Sequence, residues 1–85
     1  MYKLEPTKQF SKSLKKMSSN EQQAVANKLI ILVDDPFHPS LRTKKVQRLK
    51  DLFESSVNKD IRLLWQHKGN RIILMIDIGH HDILP

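Results

Sequence analysis

Two stretches of this 85-residue chain carry side chains suited to chemistry on a polyanion. Arg42, Lys44, Lys45, Arg48 and Lys50 supply five positive charges in nine residues, and no acid interrupts them. Such a run attracts phosphates or acidic surfaces, and it is equally what a solvated connection looks like. Near the end of the chain, His80-His81-Asp82 offers groups that exchange protons close to neutral pH, histidine having an unperturbed pKa of about 6.5. The same triplet, joined by His67, raises a metal site. Neighbours on an extended segment point to opposite faces, however, and no zinc spacing is present, so neither a metal nor any other cofactor is expected. Between these stretches stands Arg62, whose planar guanidinium can offer two parallel donors to a phosphate or pair with an acid on a sheet surface.

These side chains need elements to hold them. Tyr2-Lys3-Leu4-Glu5 alternates apolar and polar residues and stops at Pro6, which predicts a short strand. Thr7 can cap a helix whose stripe is Phe10, Leu14 and Met17, with Lys8, Lys12, Lys15 and Lys16 away from it. Ser18 with Glu21, or Ser19 with Gln22, reads as a capping box for a second helix. Its stripe is Val25, Leu29 and Leu32, widened by Ala26, Ile30 and Val33, and Pro36 ends it near Asp34-Asp35. From Phe37 to Lys50 the pattern is irregular and reads as a basic loop. Leu52 to Val57 reads as a third strand by pattern. Ile61, Leu63, Trp65 and His67 then alternate with Arg62, Leu64 and Gln66, and Lys68-Gly69-Asn70 turns the chain into a second extended run. That run, Ile72 to Ile76, is apolar on both faces and belongs in the middle of a sheet. Trp65 continues the Ile61 and Leu63 face and reads as core, with base stacking as the alternative.

The order predicts an α+β fold: an N-terminal strand, a helical hairpin, then an antiparallel sheet of three to four strands with helices on one face and the other left for function. Residues 1–85 make one domain with one core, since so short a chain buries only about 60% of its unfolded surface. Without cysteine there is no disulfide or thiolate metal site to support that core, and a reducing cytoplasm is the expected compartment. The first residues lack the apolar region of a secretory signal and no apolar run approaches bilayer length, so neither export nor membrane insertion is expected. Fifteen basic against nine acidic residues leave a formal charge of +6, which points to a polyanionic partner or to solubility alone.

Leu52-Phe53-Glu54-Ser55-Ser56, then Asp60-Ile61-Arg62-Leu63-Leu64-Trp65, then Ile72 to Ile78 and Gly79-His80-His81-Asp82-Ile83-Leu84, together resemble the RelE/ParE toxin superfamily. With the helical hairpin ahead of them, the resemblance spans nearly the whole chain. Members of the RelE, YoeB and YafQ types cut messenger RNA, usually on the ribosome, whereas ParE-like members inhibit DNA gyrase by contact. The resemblance implies a cognate antitoxin, messenger RNA and the ribosome as partners, and a cofactor-free endoribonuclease, with gyrase inhibition as the alternative. It puts Arg62 where RelE-like nucleases hold phosphate, His81 where YafQ-like and YoeB-like members place a catalytic histidine, and Asp60 at an aspartate of the YafQ-like site. Lys44, Lys45 and Arg48 would hold the flanking RNA backbone. The chain departs from its relatives in ending Leu84-Pro85 without a C-terminal tyrosine, and in carrying Ser56 where YafQ-like members have a further histidine. Either the acid–base set is smaller here, or His67 or His80 completes it.

Overall fold

The structure is a computed structural model that describes residues 1–47 and 50–80. Strand β1 (Lys3–Pro6) leads into helices α1 (Lys8–Lys15) and α2 (Ser19–Asp34), a 3-10 turn (Pro39–Leu41), and strands β2 (Lys44–Lys45), β3 (Leu52–Ser56), β4 (Ile61–Lys68) and β5 (Ile72–His80). Each helix begins where its capping residue predicts. The Thr7 hydroxyl accepts the Phe10 N–H, and Ser18 and Glu21 exchange side-chain to backbone bonds in a full capping box. These bonds satisfy amide donors that a first helical turn leaves unpaired. At the far end of α2, Asp35 leaves helical geometry one residue before Pro36.

The strands form one sheet in the order β1-β5-β4-β3-β2. β2 to β5 are antiparallel, with Phe53 opposite Trp65 and Trp65 opposite Met75, while β1 lies parallel to β5. The sheet is therefore mixed where an antiparallel one was expected. The direction of β1 depends on how many times the chain reverses before β5, a quantity its own four residues do not encode. The strand predicted to be central is central: β5 is paired on both sides. Between Leu64 and Trp65 the β4–β5 register shifts, so that Ile76 is an extra residue on β5. Thr7 secures this bulge, its hydroxyl lying 2.9 Å from the carbonyl oxygens of both Met75 and Ile76. One side chain thus starts α1 and fixes the irregularity beneath it.

The core lies between the helices and one sheet face, where Phe10, Val25 and Leu32 meet Ile61, Leu63, Trp65, Ile73, Met75 and Ile78. Trp65 is fully buried, and a chain of hydrogen bonds satisfies its indole. Nε1 donates to Ser55 Oγ at 2.8 Å, Ser55 and Thr43 hydroxyls meet at 2.7 Å, and Thr43 donates to the Pro36 carbonyl. Since the single Thr43 proton goes to Pro36, Ser55 is the donor to Thr43. This relay ties the end of α2 to β3 and β4 and sets where the chain enters β2. The basic stretch is accordingly not a plain loop: Leu41 is buried beneath the 3-10 turn, and Lys44 and Lys45 stand on an edge strand.

The apolar stripe of α2 is narrower than predicted. Val25 and Leu32 are buried and Leu29 is half-buried, but Ala26 is exposed and Ile30 is 72% exposed. Ala24 and Ile31 pack against the core instead. Residues seven apart on a helix differ by only about 20° around its axis, so these two share a flank, and Ile30 falls on the far side.

Candidate phosphate-binding face

Alternation along β3 and β4 sends Phe53, Ser55, Leu63 and Trp65 into the core and turns Leu52, Glu54, Ser56, Arg62, Leu64 and Gln66 to the second face. That face is not bare. Leu52 and Leu64 are buried there, outside the main core cluster, and so is the carboxylate of Glu54, only 4% exposed. Register places Lys44, Glu54 and Leu64 in one row across β2, β3 and β4, and Ser56, Arg62 and Gly79 in the adjacent row across β3, β4 and β5.

Glu54 is the centre of this arrangement. Its Oε1 lies 3.4 Å from Lys44 Nζ and 4.0 Å from Arg62 Nε. A buried carboxylate requires such partners, because an unpaired charge away from water costs several kcal/mol. Two cations against one carboxylate leave a surplus positive charge on a sheet face, and Lys44 remains largely exposed. Arg62 Nη1 also donates to the carbonyl oxygens of Asn58, Lys59 and Ile61, at 2.8, 3.1 and 3.2 Å, which holds the guanidinium at the β3–β4 turn. Of the two readings of Arg62 from the sequence, the structure shows the one in which it faces an acid on the sheet, with the turn carbonyls holding the guanidinium.

The other predicted site residues are distributed differently. Asp60 is exposed in the β3–β4 turn, where its backbone N–H donates to Asn58 Oδ1, two residues from Arg62 in sequence. Lys45 is exposed next to Lys44 on β2, on the opposite side of the strand. Arg48 and His81 lie outside the described residues. The substitute histidines are on the helix side of the sheet: His67 stands 5.0 Å from Trp65 in an edge-on contact, and His80 Nε2 lies 3.3 Å from Glu21 Oε2 at the start of α2. The Ser18 N–H, the Ser18 hydroxyl and the charge of His80 all hold the Glu21 carboxyl below its usual range, with the backbone N–H the largest cause. Among the described residues, no three His, Asp or Glu side chains gather as metal ligands. Glu54 is the residue that sequence reasoning missed. Its signal was present, as the one acid in an otherwise apolar and hydroxylated strand, Leu52-Phe53-Glu54-Ser55-Ser56.

Where Arg62 leaves the second face, a cleft of about 330 Å³ opens around the end of the sheet, lined by Lys28, Ser40, Arg42, Lys59 and Arg62 among others. Its lining contains four cations and no acid.

Solved structures that superpose on this chain include toxins and toxin–antitoxin complexes. A metal-bound toxin from Helicobacter pylori superposes with a TM-score of 0.81 at 24% identity, with all of both chains covered. The E. coli RelBE toxin–antitoxin complex gives 0.77 at 18% identity over 96% of this chain and 99% of the other. YafQ of E. coli gives 0.76 at 16% identity over 95% and 94%. No family model and no curated protein sequence matches the chain. At these identities the likeness establishes the fold, which is that of the RelE-type toxins. Among the described residues, no helix is long and apolar enough to cross a membrane.

Proposed function

We propose that this protein is the toxin of a toxin–antitoxin pair and an endoribonuclease that cleaves messenger RNA, on the ribosome, by side-chain acid–base chemistry. One observation carries the reading: a buried carboxylate, Glu54, holds the two cations Lys44 and Arg62 beside each other on the sheet face away from the helices. Structural relatives of the whole chain include RelE and YafQ toxins, several of them in complexes with antitoxins. A fold alone supports many functions, so the site has to bear the argument.

RNA cleavage of this kind requires a base to take the 2′-hydroxyl proton, an acid for the departing 5′-oxygen, and fixed cations for the charge that grows on phosphorus. Arg62 and Lys44 supply the cations, and the carbonyls of the β3–β4 turn keep Arg62 from swinging into solvent. His81 serves in proton transfer, with Asp60 beside the phosphate-binding turn, and Lys45 and Arg48 hold flanking backbone. The 2′-oxygen attacks phosphorus, the bond from phosphorus to the 5′-oxygen breaks, and the proton delivered to that oxygen leaves a 5′-hydroxyl end. An antitoxin covers the basic surface when the toxin is silent.

The test is to add the purified protein to a translation reaction and map messenger RNA ends, with a gyrase supercoiling assay alongside. New 5′-hydroxyl ends with normal supercoiling are expected. Inhibited supercoiling without new ends would replace this reading with a ParE-like one.

A further inference from the structure

The cleft at the end of the sheet is separate in construction from the Glu54 row. Lys28 reaches it from α2, Arg42 from the residue closing the 3-10 turn, and Lys59 and Asn58 from the β3–β4 turn, while Arg62 forms the border with the second face. Elsewhere on the surface Lys44 pairs with Glu54, Lys68 with Glu5 and His80 with Glu21, while Lys8, Lys12, Lys15, Lys16 and Lys45 stand apart along α1 and β2. Lys28, Arg42 and Lys59 form no salt bridge among the described residues, although they share one concavity. Like charges brought together in a partly enclosed space repel, and an anion placed among them removes the repulsion.

One of these cations is held rather than loose, and another stands at an unusual backbone position. Lys28 is half-buried and its Nζ donates to the Ser40 carbonyl at 3.3 Å, so the ammonium is anchored at the rim. Arg42 has φ of 48°, a left-handed conformation that side chains other than glycine, asparagine and aspartate seldom adopt. A glycine there would relieve the backbone, yet an arginine stands in that position.

We infer that this cleft is a second phosphate site, which binds the backbone of a single-stranded RNA as the strand passes from the Arg62 face around the end of the sheet toward α2. The inference rests on the proposed RNA-cleaving function and deepens it by assigning the strand's path. The lining fits a polynucleotide better than an acidic peptide. It offers hydroxyl and amide groups from Ser40, Ser56 and Asn58 beside the four cations, and Val57 is its single apolar residue. Phosphate backbones are contacted by such groups, whereas peptides are anchored by apolar side chains in pockets. Its volume lies within the range of about 300–1,000 Å³ usual for ligand clefts.

The test uses Lys28→Gln, Arg42→Gly and Lys59→Gln, singly and combined, leaving Arg62 intact. Fluorescence anisotropy follows an uncleavable 2′-O-methyl oligonucleotide across a salt series, with inorganic phosphate and a poly-glutamate peptide as separate ligands. The combined variant is expected to bind the oligonucleotide at least tenfold more weakly, with a salt slope shallower by about 2, since each lost phosphate contact on a single strand removes about 0.7. Arg42→Gly alone should lose affinity while its thermal midpoint holds or rises, which separates lost contact from lost fold. Unchanged oligonucleotide affinity in the combined variant overturns the inference, even if inorganic phosphate binding falls. So does a loss confined to the peptide. RNA cleavage by the unaltered protein together with unchanged binding by the variant removes the cleft and keeps the nuclease. Cleft-dependent binding without any cleavage does the reverse.

Discussion

Glu54 and Arg62 make different demands on the same few ångströms, and replacing each should separate binding from turnover. In the proposed mechanism, Arg62→Ala removes the charge that meets the phosphate, and His81→Ala removes a proton carrier. Each is expected to lower cleavage by about 10²–10⁴-fold, with antitoxin binding retained in a pull-down. Arg62→Lys should recover part of the loss, because a point charge does not reproduce a planar fork. Normal cleavage by folded His81→Ala would move the proton transfer to another group. Glu54→Gln acts in the opposite sense on affinity. It leaves Lys44 and Arg62 without their shared counter-charge, so RNA should bind more tightly while cleavage slows, as the guanidinium loses the carboxylate beside it. Binding and single-turnover rates measured on the same preparation check this, and parallel changes in both would show that Glu54 only keeps the sheet intact.

At the scale of elements, the N-terminus of α2 joins the helical layer to the end of β5. Glu21 caps the helix through Ser18 and meets His80 at 3.3 Å. Because these contacts depress its pKa in the folded state, they contribute stability that is present above the unfolded carboxylate value of about 4.3 and is lost as pH falls through the lower folded value. Glu21→Gln keeps a capping group but cannot titrate. Urea midpoints for the two proteins should therefore differ above the carboxylate range, with the unaltered protein the more stable, and converge as pH falls through the lowered Glu21 value. A constant gap down to strongly acid pH would mean that the carboxylate charge adds nothing.

For the molecule as a whole, one buried face and one cationic surface divide the work. Leu32 is fully buried and Ile30 is 72% exposed two residues earlier on the same helix. Leu32→Ala should cost about 2–5 kcal/mol in chemical denaturation and Ile30→Ala within about 0.5 kcal/mol of nothing. Equal losses would mean that α2 presents another flank to the sheet. The net charge of +6 acts over longer distances and is screened by salt. Replacing Lys44, Lys45 and Arg48 together by alanine should weaken RNA association and reduce its salt slope by about 2, with the fold unchanged by circular dichroism. An unchanged slope would return the edge strand to plain solvated surface.

Local physics was legible in the residues themselves. Thr7, the Ser18–Glu21 box and Pro36 mark the helix ends, and alternation from Ile61 to His67 assigns Trp65 to the core and Arg62 to the other face, because caps and periodicity act within a few neighbours. Arg62 was legible as a cation on the outer sheet face, but its partner was not, since Glu54 reaches it only across the strand pairing. The parallel direction of β1, the bulge at Ile76 beneath Thr7, and the meeting of Lys28, Arg42 and Lys59 in one cleft were decided by the tertiary structure alone. Each depends on segments far apart in the chain, whose relative placement is set by how the helices pack on the sheet and not by any pattern within them.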